Sequence, residues 1–159
     1  MAATKISDLP AVSALAGADL FPVVQSAATK KATLTQLAAL FGLASGTYTP
    51  TLTNTANVAA STAFPSQYVR VGDVVTVSGR VNVDPTAGTT LTTLGISLPI
   101  ASNFGAIDDC SGTAAANGAA SECAAVIGDA TGNQAQMQWI TTDATNHAMF
   151  FHFTYRVIP

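Results

Sequence analysis

Two stretches of this chain alternate apolar and polar residues with a period of two, and that pattern excludes most folds at once. Residues 74–83 put Val75, Val77, Val81 and Val83 on one side and Thr76, Ser78, Arg80 and Asn82 on the other. Residues 147–158 repeat the pattern at greater length, with Met149, Phe151, Phe153, Tyr155 and Val157 against Phe150, His152, Thr154 and Arg156. Successive side chains of a strand point to opposite faces, so each stretch reads as a half-buried antiparallel strand. Phe150 interrupts the polar side of the last strand, which implies that both of its faces are at least partly covered.

Short Thr- and Val-rich runs fill most of the chain from Thr47 onward, separated by turn residues. Residues 47–52, 67–71, 90–98, 111–115, 122–127 and 134–142 read as further strands, and a loop is expected through Asn54 and Asn57. Gly72-Asp73 and 84–88 supply turns. Asn117-Gly118 is the preferred centre of a tight hairpin turn. Eight or nine strands with almost no helix after Phe41 fit an all-β fold, a jelly-roll-like antiparallel β-sandwich. Self-similarity at a fixed period of 20 to 50 residues is missing, which argues against a solenoid or propeller.

Residues 1–45 break this pattern. Pro10, Gly17 and Pro22 prevent one continuous helix. Leu20-Phe21-Pro22-Val23-Val24 reads as a short edge strand, where proline is tolerated. Thr33 with Gln36 three positions on matches a capping box, opening a short helix whose Leu34, Leu37, Leu40 and Phe41 share a face and which Gly42 stops. So few apolar residues cannot form an independent core, so this segment needs something to pack against. The expected organisation is an N-terminal arm, 1–45, and a β-sandwich domain, 46–159.

Charge narrows the function. Charged residues make up 9% of the chain, against about 25% in ordinary globular domains. Either copies of the chain or a larger assembly cover its surface, or that surface is built of Thr, Ser, Asn, Gln and Ala. The six basic residues, Lys5, Lys30, Lys31, Arg70, Arg80 and Arg156, form no stripe, and the net charge is −3. Nucleic acid is therefore not an expected partner. Nor is a membrane, since no apolar run approaches the roughly 20 residues a spanning helix needs. Lys5 is followed by Ile-Ser-Asp-Leu-Pro rather than an apolar signal core, so synthesis in a cytoplasm is expected.

The residues assemble no catalytic constellation, and the chain is read as non-enzymatic, with no catalytic residues, cofactor or metal. His147 stands near Asp143 in a polar turn, and a solvated turn is the plainer reading. His152 reads as a surface or interface histidine. Asp108-Asp109 is a close acidic pair, but adjacent residues point apart in an extended chain, and further acids at alternating positions are missing. Cys110 and Cys123 flank the Asn-Gly turn, which leaves two readings open: a cross-strand disulfide or two small buried thiols. Trp139, Tyr48, Tyr68 and Tyr155 are the rings a sugar would stack on, yet alternation sends Gln136 and Gln138 to the face opposite Trp139, so Trp139 reads as core.

Two segments carry a resemblance. Thr4-Lys5-Ile6-Ser7-Asp8-Leu9-Pro10, Leu20-Phe21-Pro22-Val23-Val24-Gln25 and Thr33-Leu34-Thr35-Gln36-Leu37 resemble the N-terminal attachment end of tailed-bacteriophage fibre and virion-surface proteins. Gly46-Thr47-Tyr48-Thr49-Pro50-Thr51-Leu52 and residues 67–79 resemble the β-sandwich head of phage fibre and head-decoration proteins. A long shaft between the two is missing. The resemblance implies a virion-surface protein, made in the host cytoplasm, that decorates or cements the capsid as a homotrimer. Leu9, Leu20, Phe21, Val23 and Val24 would bury against the major capsid protein or a tail component. Phe150, His152 and Tyr155 of the last strand would meet neighbouring subunits. The alternative it implies is a short fibre whose tip binds a host-surface glycan.

Overall fold

In the computed structural model, which describes residues 14–118 and 122–159, the chain divides into two compact units, Met1–Phe41 and Gly42–Pro159. The expected boundary at 45/46 falls inside the second unit, because Ala44 already pairs with Arg70 across a sheet.

The first unit holds strands β1 (Leu20–Gln25) and β2 (Ala28–Thr33), an antiparallel hairpin, and helix α1 (Leu34–Leu40). Gln25 pairs with Ala28, so Ser26 and Ala27 alone make the turn, both at positive φ (54° and 59°). That is the backbone of a type I′ turn, which usually recruits Asn and Gly. Its absence of glycine hides β2 from the sequence. Helix α1 starts where the capping box places it. Thr33 Oγ1 accepts from Gln36 N–H at 3.1 Å, and Gln36 Oε1 accepts from Thr33 N–H at 2.9 Å. Gly42 follows the helix at φ 63°, a conformation that halts it.

The second unit is all-β, with β3 (Ala44–Tyr48), β4 (Leu52–Ala56), β5 (Val58–Ala63), β6 (Ser66–Val71), β7 (Val74–Pro85), β8 (Leu91–Ile96), β9 (Cys110–Ala116), β10 (Cys123–Asp129), β11 (Gln134–Ile140) and β12 (His147–Arg156). They form one antiparallel 10-stranded sheet in the order β3-β6-β7-β12-β9-β10-β11-β8-β4, with β5 also on β7. The run β12-β9-β10-β11 is a Greek key, the last strand returning beside the first of a three-strand meander. The sheet curls into a jelly-roll-like sandwich with its apolar face inward.

The expected loop through Asn54 and Asn57 is instead two strands, β4 and β5, joined at Asn57 but not paired with each other. Asn57 turns the chain at φ 54°, and β4 then lies on β8 while β5 lies on β7. The β4–β5 corner thus links the two arms of the curled sheet. The Asn117-Gly118 turn also differs from expectation. Ala116 N–H bonds to Glu122 O and Cys123 faces Ala115, so the connection is longer than two residues.

Inward packing follows the alternation. Val75, Val77, Val81 and Val83 of β7 and Met149, Phe151, Phe153 and Tyr155 of β12 are buried with Leu94, Ile96, Val126, Met137 and Trp139. Each buried side chain of this size stabilises the fold by about 1.5–3 kcal/mol. Small residues beside β12 make room for its rings. Phe153 faces Gly112, and Phe151 faces Ala114 on one side and Gly79 on the other. A Cβ on Gly112 would fall 2.5 Å from Phe153 Cβ, and one on Gly79 would fall 2.8 Å from Phe151 Cζ. Tyr155 closes one end of the core. Its hydroxyl donates to Ile100 O at 2.7 Å, and its ring meets Phe104 edge-on.

Candidate attachment and assembly surfaces

The first unit exposes what a stable domain hides, and none of its described residues is buried. Alternation along β1 splits the candidate anchoring residues. Phe21 and Val23 are half-buried, as is Ala32 on β2. Phe21 lines a cleft of about 220 Å3 with Leu15, Asp19, Leu20, Leu34 and Leu37. Leu20, at the rim of that cleft, is 57% exposed, and Val24 is 77% exposed. Leu40 and Phe41 at the end of α1 are also exposed. Leu9 lies outside the described residues.

The second unit has a different surface. Along β12, Phe150 and His152 face outward, whereas Tyr155 faces the core and is 2% exposed. Tyr155 therefore drops out of the expected subunit contact. Its phenol is pushed up to about 12, chiefly by burial. The sequence already held the reason: 155 shares the parity of 149, 151 and 153, opposite to 150 and 152. Arg80 aside, the outward positions near Phe150 carry Ser, Thr, Ala and His152. His152 lies between Ser78 and Thr113, and Thr154 lies between Thr76 and Ser111, with Thr76 and Thr154 hydroxyls 3.1 Å apart. Arg80 lies across from Phe150, its guanidinium 3.7 Å above the Phe64 ring. Such stacking holds the cation over an apolar surface while its N–H edge remains available.

Asp143, Thr145 and His147 converge on one loop. Asp143 Oδ1 accepts from Thr145 N–H at 2.7 Å and from its hydroxyl at 2.6 Å, and lies 3.0 Å from His147 Nε2. These bonds, with the Thr145 hydroxyl first, hold the Asp143 carboxyl down at about 2. The cluster is not a nucleophile relay. A relay sets the hydroxyl and the carboxylate on different imidazole nitrogens, whereas here Nε2 touches both. The arrangement braces a turn.

The acidic pair is also engaged locally, since Asp109 Oδ2 accepts from the N–H groups of Gly105 and Ala106. Among the described residues no group of three His, Cys, Asp or Glu gathers to hold a metal ion. The cysteines are both free thiols. Cys110 is buried and pushed up to about 12 by that burial, whereas Cys123 is exposed. Cys123 pairs with Ala115 while Cys110 sits at the far end of the same strand beside Tyr155, so the register rules out the disulfide.

Sequence reasoning missed Glu122. It is 2% exposed, and its Oε1 accepts from both the backbone N–H and the hydroxyl of Thr142. Its Oε2 is buried without a partner in the chain. A lone Glu beside Cys123 carries no pattern that announces burial. The rings a sugar would use are withdrawn: Trp139 and Tyr155 are buried, and the half-buried Tyr48 and Tyr68 pack edge to face at 6.2 Å. Burial raises the Tyr48 phenol well above its usual range. Compared with family models, curated proteins and solved structures, the chain matches none.

Proposed function

We propose that this chain is a non-enzymatic structural protein of a bacteriophage particle. It decorates or cements the capsid surface as a homotrimer, attached through its N-terminal unit to the major capsid protein. The observation that carries this reading is the first unit, with no described residue buried and with Leu20, Val24, Leu40 and Phe41 turned to solvent. A segment of that composition costs conformational entropy to order and regains it only by burying its apolar side on a larger body. Three arms tied through one oligomer raise the effective concentration of each, so modest contacts add to firm attachment. The low charge of the chain fits a surface that meets copies of itself and a lattice beneath.

The alternative, a short fibre whose tip binds a host glycan, gains less support, because the rings available for stacking are turned inward or packed on each other. Electron microscopy of intact particles labelled with antibody to residues 42–159 separates the two. Label in a lattice over the head is the expected result. Label confined to the tail tip would favour the fibre, and label on neither would overturn both.

A further inference from the structure

Strand register brings together an apolar row that the linear sequence scatters. Phe150 on β12 lies across from Ala115 on β9, and Ala115 lies across from Cys123 on β10. The β10–β11 ladder ends with Ala125 against Gln138, and continuing that register by two residues would set Cys123 beside Ile140. Ile140 faces Leu91 on β8. All five residues point outward and are exposed, with Phe150, Ile140 and Leu91 at 49%, 56% and 53%. Four inter-strand steps of about 4.8 Å make a stripe about 19 Å long. A monomer has no use for a continuous outward apolar stripe crossing strands in this way.

The stripe runs around a curled sheet, so its two ends look outward from different arms. At one end Phe150 stands beside the basic Arg80. At the other, Ile140 and Leu91 stand next to the loop that carries Asp143, an exposed acid whose three bonds all land on Oδ1. The ends therefore match each other in charge as well as in apolar character, and neither matches itself. A two-fold contact of Phe150 against its own copy would bring Arg80 toward Arg80. Contact of one end with the other end of a second copy brings Arg80 toward Asp143.

We infer that the Phe150 end of one copy docks on the Ile140–Leu91 end of the next, a head-to-tail joint that closes the ring of subunits. This rests on the trimeric state proposed above and names the surfaces that build it. Head-to-tail joints make closed rings when the rotation per subunit divides the circle.

The test uses full-length protein in analytical ultracentrifugation, alone and in mixtures. Wild type sediments as a trimer, and Phe150→Asp and Leu91→Asp each sediment as monomers that still unfold in one cooperative thermal transition, at a lower midpoint than the trimer. An equimolar mixture of the two variants forms one-to-one dimers, because one copy retains an intact Phe150 end and the other an intact Leu91 end. If Leu91→Asp remains trimeric, or the mixture remains monomeric, the head-to-tail joint is wrong while the trimer stands. A monomeric wild type overturns the trimer and the joint together. Should an aspartate variant lose its transition, Phe150→Ser and Leu91→Ser replace the pair under the same outcomes.

Discussion

The two units of this chain follow opposite rules. The second fills its interior with valines, rings and methionines from β7, β8, β11 and β12, although Leu91, Ile140 and Phe150 remain among its exposed residues. The first has strands, a capped helix and well-formed turns, yet buries none of its described residues. Secondary structure alone therefore does not make a stable unit. An amphipathic element gains its stability from what covers its apolar side. The second unit covers its core from within, whereas no described residue of the first is buried.

The largest effect that sharpens this contrast belongs to the core. Phe153→Ala should cost about 3–5 kcal/mol, read as a lower midpoint in chemical denaturation. Phe21→Ala in the first unit should leave that midpoint unchanged. An equal loss from both would erase the distinction between the units. Next comes Glu122, whose Oε1 holds Thr142. Glu122→Ala leaves the Thr142 N–H and hydroxyl without their acceptor and should cost about 1–3 kcal/mol. Glu122→Gln retains an acceptor and should cost less, which calorimetry would show.

Alkali should act on the second unit alone. Burial raises the Cys110 thiol from 9.0 to about 12 and the Tyr155 phenol from 10.0 to about 12. The folded values lie above the unfolded ones. The stability they contribute is thus fully present below about pH 9 and is lost as the pH climbs to about 12. Denaturation midpoints measured across that window should fall, and a flat profile would mean that both groups are open to solvent. The smallest effect is local. Thr33→Ala removes the capping hydroxyl and should cost the helix about 1 kcal/mol, seen in amide exchange of residues 34–41 with no shift of the main transition.

What the sequence disclosed, and what it withheld, divides along the same physical lines. The alternation in β7 and β12 was legible because large apolar side chains repeat there at every second position. The Thr33–Gln36 cap was legible because it is a local bargain between two side chains and two N–H groups. Strands β4 and β5 were not, because Thr, Asn, Ala and Ser carry no apolar period, and the pairing that makes them strands comes from distant β8 and β7. Turn chemistry misled twice. Ser26-Ala27 forms a tight turn without turn residues, while Asn117-Gly118 belongs to a longer connection. The row from Phe150 to Leu91 needs four registers before it exists at all, so no reading of one strand could find it.

The central claim is that Leu20 and Val24 await a partner. Co-sedimentation with phage particles stripped of the protein tests it most directly, comparing wild type with the double variant Leu20→Asp and Val24→Asp. Both residues are exposed, so the variant should fold and keep its oligomeric state. The account predicts that it stays in the supernatant while wild type pellets with the particles. Equal pelleting of the two proteins would contradict it.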